Sequence, residues 1–220
     1  MLRAVIFDLD GVIIDSHPAH KQAWKTFFDS LGKEVSDDEL LFVLEGRKRE
    51  AILRHFLGDL TDEEVKHYGA RKDALFCGSA LELKMIAGFS EFLECLEGAG
   101  LPVALASSGS HKRVAYVLNQ LDLQRRFRVV VTGDDVVNGK PDPSIFHIAA
   151  TGLEVSPADI LVCEDAVCGV EAAKRAGMKC LAIAADGRGP LLKKAGADSV
   201  VPDFTTANLV ELSGLFADGP

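Results

Sequence analysis

The sequence predicts an α/β fold: a doubly wound, Rossmann-like parallel sheet with an α-helical unit inserted after its first strand. Three observations lead there. Short apolar runs rich in β-branched residues recur along the chain, each stopping at polar residues, and such runs read as strands buried on both faces. Helical patterns separate most of them, and alternating strands and helices imply a parallel sheet covered on both sides. One long stretch breaks the alternation with consecutive helices and no clear strand.

The first run, 4–7 (AVIF), stops at Asp8-Leu9-Asp10-Gly11. From 16 to 87 the pattern is helical, with segments expected at 19–31, 37–44, 48–57 and 61–76. Thr61 followed by Glu64 is a capping-box start. Strand runs resume at 102–106, ending in Ser107-Ser108-Gly109, and continue at 128–132, 159–163, 179–184 and 198–201. The 159–163 run ends in Glu164-Asp165, and the 179–184 run in Ala185-Asp186-Gly187. Helices are expected between them at 90–99, 112–121, 143–150 and 167–176, the last closed by Gly177 with Lys174 and Arg175 at its end. The chain thus divides into a core of 1–15 and 88–220 and an inserted helical domain of 16–87.

A chain of 220 residues with 48% hydrophobic content can bury one large domain, or one with a smaller domain attached. Its net charge of -9 makes it a poor nonspecific binder of nucleic acid or of an anionic membrane. It leaves room for a small anionic substrate, because a bound divalent cation reverses the local field. The five cysteines, Cys77, Cys95, Cys163, Cys168 and Cys180, form no zinc or CxxC spacing and read as free thiols in a reducing compartment. No signal-peptide pattern and no membrane-length apolar run is visible. The expectation is a cytoplasmic protein, monomeric or weakly dimeric, with no nucleic-acid or membrane partner.

Ligands of open α/β sheets bind beyond the carboxyl ends of the strands. The residues there are Asp8, Asp10, Ser107, Glu164 and Asp165, with Lys140 in a loop before a helix. Such crowded carboxylates repel one another unless a hard cation with oxygen ligands offsets them, and magnesium is the usual one for phosphate chemistry. A nearby lysine and hydroxyl complete a pocket for a phosphoryl group. A carboxylate can attack phosphorus to form an aspartyl phosphate, and a second can protonate the leaving oxygen and then activate water. Asp8 and Asp10 suit this work, since i and i+2 share one side of an extended chain and Gly11 lets the backbone turn away.

These residues, in this order, resemble the haloacid dehalogenase superfamily of phosphotransferases. Asp8-Leu9-Asp10-Gly11-Val12 matches its first motif, Ser107 the second, Lys140 the third and Glu164-Asp165 the fourth. The helical insert resembles the subclass with an α-helical cap. The resemblance implies that Asp8 is the nucleophile and a metal ligand, and that Asp10 is the general acid/base and offers its backbone carbonyl to the metal. It further implies that Ser107 and Lys140 hold phosphoryl oxygens, and that Asp165 and Glu164 complete a Mg²⁺ site.

Within the superfamily the chain is most similar to the β-phosphoglucomutase-like group. His20 with Ala23-Trp24 resembles that group's first cap helix. The 45–50 segment, containing Gly46 and Arg49, resembles its specificity loop, and Arg71-Lys72-Asp73 a cap segment with a substrate-facing lysine. The likeness implies substrate-binding roles for His20, Gly46, Arg49, Lys72, Ser108 and Gly109. Trp24 reads as packing, and His17, His55, His67 and His147 as structural.

Ser108-Gly109-Ser110-His111 departs from the mutase pattern. The expectation is therefore a magnesium-dependent phosphatase acting on a small, sugar-phosphate-like metabolite. A sugar phosphomutase is the alternative, with Arg49 and Lys72 as its second phosphate site. The alternative of another class is a noncatalytic phosphate-binding or signalling module.

Overall fold

The computed structural model describes residues 1–79, 83–185 and 187–217. Asp186, residues 80–82 of the expected insert and residues 218–220 lie outside them. The predicted doubly wound sheet is present. Strands β1 (Ala4–Phe7), β2 (Val103–Ser107), β3 (Val129–Thr132), β4 (Ile160–Glu164), β5 (Lys179–Ile183) and β6 (Ser199–Val201) run parallel in the order β3-β2-β1-β4-β5-β6.

Strand alternation sorts the side chains onto two faces. Val5, Phe7, Val103, Leu105, Leu161, Cys163, Leu181 and Ile183 build one apolar core. Helices α4 (Phe89–Gly98), α5 (His111–Gln120) and α9 (Leu209–Gly214) cover it. Phe7 sits at its centre, with the rings of Phe89 and Phe204 5.4 and 6.0 Å away. Ala4, Ile6, Ala104, Ala106, Ile160, Val162, Cys180 and Ala182 point the other way. They pack under α6 (Ser144–Leu153), α7 (Val167–Arg175) and α8 (Gly189–Lys194). Two buried faces explain why the strands read as unbroken apolar runs.

The stretch after β1 is helical. It contains α1 (His17–Asp29), a 3-10 helix at Glu39–Leu44, α2 (Arg49–Leu57) and α3 (Asp62–Cys77). Trp24, Phe27, Phe28, Leu40, Val43, Ile52, Leu53, Phe56 and Val65 form a core of their own there. The capping box is made: Thr61 accepts from the Glu64 amide, and Glu64 accepts from Thr61. The α-helix expected at 37–44 is instead the 3-10 turn, and the reason is local. Ser36 and Glu39 close a tight start, and only Leu40 and Val43 are buried, a spacing of i and i+3 that matches three residues per turn.

The two chain segments joining this helical stretch to the sheet lie side by side. The Asp15 amide donates to the Lys84 carbonyl at 2.8 Å and the Ile86 amide to Ile13 at 2.9 Å. No helix among the described residues is long and apolar enough to cross a membrane. The strand order reverses between β1 and β4, so the crevice at their carboxyl ends is the topological switch point, the usual ligand site of such sheets.

Candidate active site

Four loops deliver the polar residues to this crevice. Asp8 follows β1 directly, its amide donating to the Cys163 carbonyl at 3.0 Å. Lys140 donates to Asp8 Oδ1 and to Glu164 Oε1, each at 2.6 Å, and to the Ala106 carbonyl at 3.1 Å. It thereby ties the ends of β1, β2 and β4 together. The other Glu164 oxygen accepts the Asp165 and Ala166 amides at the start of α7. Asp165 Oδ2 lies 3.0 Å from His17 Nε2 and 3.4 Å from Arg188 Nη2. Gly11 has φ +73°, and a Cβ there would overlap the Asp165 carboxylate, so the turn after the first motif accepts only glycine.

Asp8, Glu164 and Asp165 each offer an oxygen within 4.8 Å of the others, and all three are buried. Burial pushes the Asp8 carboxyl up to about 7; Lys140 pulls against this, while Glu164 and Asp10 add to it. Burial also raises Glu164 against the pull of Lys140, and raises Asp165 against the pull of His17. Lys140 is held charged: burial opposes its charge, but Asp8 and Glu164 prevail. Two cations, Lys140 within the cluster and Arg188 at its edge, against three carboxylates leave an excess of negative charge. An all-oxygen, anionic set of this kind fits a hard divalent cation.

The Asp10 carboxylate turns away from this cluster. Arg113 forks onto it, with Nη1 2.9 Å from Oδ1 and Nη2 2.6 Å from Oδ2. Ser16 donates to Oδ1 at 2.7 Å, and His20 Nε2 lies 3.0 Å from the same oxygen. Burial works to raise Asp10, yet Arg113 and then His20 hold it well below the usual carboxylate range. His20 Nδ1 lies 2.9 Å from Lys72 Nζ. An ammonium can only donate, so Nδ1 accepts and Nε2–H donates to Asp10. Burial, reinforced by Lys72, pushes His20 down to about 3, so it is neutral in this chain of contacts. Burial, with Arg113 next, brings Lys72 down to about 7.

Ser107 is buried and accepts the Gly109 amide at 3.1 Å. It does not cap the following helix; Ser110 does, accepting the Arg113 amide. Ser108 donates to the Gly46 carbonyl at 2.7 Å, joining the β2 loop to the 45–50 segment. Arg49 Nη1 donates to Asp73 at 2.8 Å and Nη2 to Asp134 at 3.1 Å. Lys48 reaches across to the Val136 carbonyl at 2.7 Å. These contacts fasten the helical stretch over the crevice and leave a pocket beneath it. Asp8, Asp10, His20, Gly46, Arg49, Lys72, Ser108, Gly109 and Asp165 line it; the buried Ser107, Lys140 and Glu164 do not.

Trp24 is buried in the helical core, as the sequence suggests, and one edge lines the pocket. His17, expected to be structural, pairs with Asp165 beside the acidic cluster. Its position two residues before α1's first buried alanine carries no metal-ligand spacing, so only the fold reveals it. Arg113 and Ser16 are also invisible as site residues in the sequence, where Asp73 and Ser110 appear only as members of the 71–73 and 108–111 segments. Arg113 stands 103 residues from Asp10 and reads from sequence as an ordinary cation near a helix start.

Residues 5–183 match the haloacid dehalogenase-like hydrolase family. Over 216 residues the chain is 34% identical to the phosphorylated carbohydrates phosphatase of Thermotoga maritima, covering 96% of this chain and 99% of that one. It is 33% identical to the β-phosphoglucomutase of Bacillus subtilis, covering 91% and 89%. Its fold superposes on a HAD hydrolase, family IA, variant 3, from Entamoeba histolytica with a TM-score of 0.88, at 27% identity over 99% of this chain and all of that one. The chain belongs to the haloacid dehalogenase-like hydrolase family.

Proposed function

We propose that this protein is a magnesium-dependent phosphatase that hydrolyses a small, sugar-phosphate-like metabolite through an aspartyl phosphate on Asp8. The observation that carries the reading is Asp8 itself: a buried carboxylate at the switch point, held by Lys140 and set against Glu164 and Asp165. The name of the Thermotoga relative supports the substrate class. The helical stretch of 16–87 acts as the cap, and its contacts with Ser108 and Asp134 are those that would close over a bound ester and exclude water.

An Asp8 oxygen attacks phosphorus, the new O–P bond forms, and the bond to the leaving oxygen breaks. Lys140, Ser107 and the loop amides after β2 hold the phosphoryl oxygens and stabilise their charge. A Mg²⁺ ion held by Asp8, Asp165, Glu164 and the Asp10 carbonyl would neutralise the cluster and polarise the phosphoryl group. Asp10 gives a proton to the leaving oxygen, then takes one from the water that attacks the aspartyl phosphate. Arg113 keeps Asp10 ionised in the arrangement seen here, the form the second half requires. The first half requires the carboxyl to swing off Arg113 and carry a proton.

Phosphate release from a panel of phosphorylated sugars tests the reading. Turnover should need magnesium, and Asp8→Asn should lower it roughly a thousandfold or more. Undiminished turnover in Asp8→Asn would sink the assignment. The relation to β-phosphoglucomutase makes β-glucose 1-phosphate the discriminating substrate: conversion to glucose 6-phosphate with little free phosphate would replace hydrolase by mutase.

A further inference from the structure

The cations lining the pocket are already engaged. Arg47 pairs with Glu45 at 2.8 Å, Arg113 with Asp10, and Lys72 with His20. Arg49, the sequence candidate for a second phosphate contact, spends both ends of its guanidinium on carboxylates, Asp73 and Asp134. One positive charge faces two negative ones there.

Asp73 is 6% exposed. Arg49 and the Ser110 hydroxyl both donate to its Oδ2, at 2.8 and 2.5 Å. Its Oδ1 accepts nothing from the described residues. Yet no buried side-chain oxygen among them lacks a partner, so Oδ1 is open to solvent, and Asp73 lines the pocket. A fixed carboxylate oxygen, held by two donors behind it, is an acceptor for a hydroxyl. The same oxygen repels an incoming phosphate, which would also have to displace Asp73 or Asp134 from Arg49.

We propose that Asp73, backed by Asp134, is a specificity-determining residue that restricts the site to phosphomonoesters with an uncharged, hydroxyl-bearing far end and turns away a second phosphate. The proposal rests on the phosphatase reading for where the reacting phosphoryl group sits, and it deepens that reading by naming the charge class of the leaving group. It also gives a physical reason for hydrolysis over mutase chemistry, since a sugar mutase must hold a phosphate at each end.

The test compares fructose 6-phosphate with fructose 1,6-bisphosphate. Calorimetric binding is measured with magnesium in Asp8→Asn, alone and combined with Asp73→Asn or Asp134→Asn. Asp8→Asn alone should favour the monophosphate by about tenfold or more. Asp73→Asn should release Arg49 and tighten the bisphosphate by about tenfold relative to the monophosphate; the more exposed Asp134→Asn should shift the ratio the same way by less. Equal or tighter bisphosphate binding in Asp8→Asn alone overturns the proposal. So does loss of both ligands in parallel on Asp73→Asn with no ratio change in Asp134→Asn, and so does binding of neither ester. Wild-type turnover separates the two readings. Turnover without the charge preference overturns the charge rule alone; a charge preference without turnover on any ester overturns the phosphatase reading alone.

Discussion

Glu164 is sealed inside the protein, one oxygen on Lys140 and the other on two amides of the turn into α7. Gly169, in the first turn of that helix, leaves the space its carboxylate fills, for a Cβ at 169 would overlap it. Gly169→Ala should therefore destabilise the fold by about 1–3 kcal/mol through overpacking and weaken magnesium binding, read by thermal melting and calorimetry. Gly98, at the end of α4, is the matched control: an added Cβ there meets nothing within 4 Å. Gly98→Ala should leave metal binding alone and stabilise by up to about 1 kcal/mol, because alanine is the better helix former. Equal effects at both positions would show that Glu164 moves freely. The same residue scale marks the limit of the sequence. Asp8, Asp10, Ser107, Glu164 and Asp165 are legible because each lies at a strand end, where topology alone dictates proximity. Arg113 and Asp73 are not, because their partners lie on other elements and nothing in the local pattern of α5 or α3 announces them.

At the scale of elements, legibility follows how local the determinants are. The capping box at Thr61 and Glu64 acts within four residues, so the start of α3 can be read directly. Thr61→Ala should cost about 1 kcal/mol in denaturant unfolding and spare phosphate release, since α3 brings Lys72 and Asp73 to the pocket from its other end. A loss of turnover larger than the loss of stability would mean that fraying of the first turn reaches the site. The 3-10 segment at Glu39–Leu44 reads as α-helix in the sequence because six residues carry too little periodicity to separate three residues per turn from 3.6. The sheet is clear because its central strands β1, β2, β4 and β5 are buried on both faces, and in an alternating chain a short, continuous apolar run between two helices fits a central strand and little else.

At the scale of the whole molecule, the fold draws Asp8, Glu164 and Asp165 together from the ends of two central strands, and this concentrates charge that the protein alone does not neutralise. Burial raises all three carboxyls, Asp8 to about 7, whereas unfolded carboxyls titrate near about 4. The folded protein without a cation thus holds protons between about pH 4 and 7 that the unfolded chain has released. That contribution to stability is complete below the unfolded values and is lost as pH rises through the folded ones. A divalent cation needs the ionised carboxylates, so its binding expels those protons. His20 and Lys72 also titrate abnormally, but they face Asp10 and each other, and they cancel when one protein is compared with and without metal; His17 does not, because burial opposes its charge while Asp165 raises it, so a cation on Asp165 adds to the protons released. The difference in melting temperature between magnesium-loaded and EDTA-treated protein should therefore grow by about 5 °C from about pH 5.5 to 7.5. Calorimetry at about pH 6.5, in buffers of different ionisation enthalpy, should show roughly one proton released per ion bound. A melting difference that is flat with pH, together with no proton release, would mean that these carboxylates are not the ligands and that the excess charge of the crevice is met in some other way.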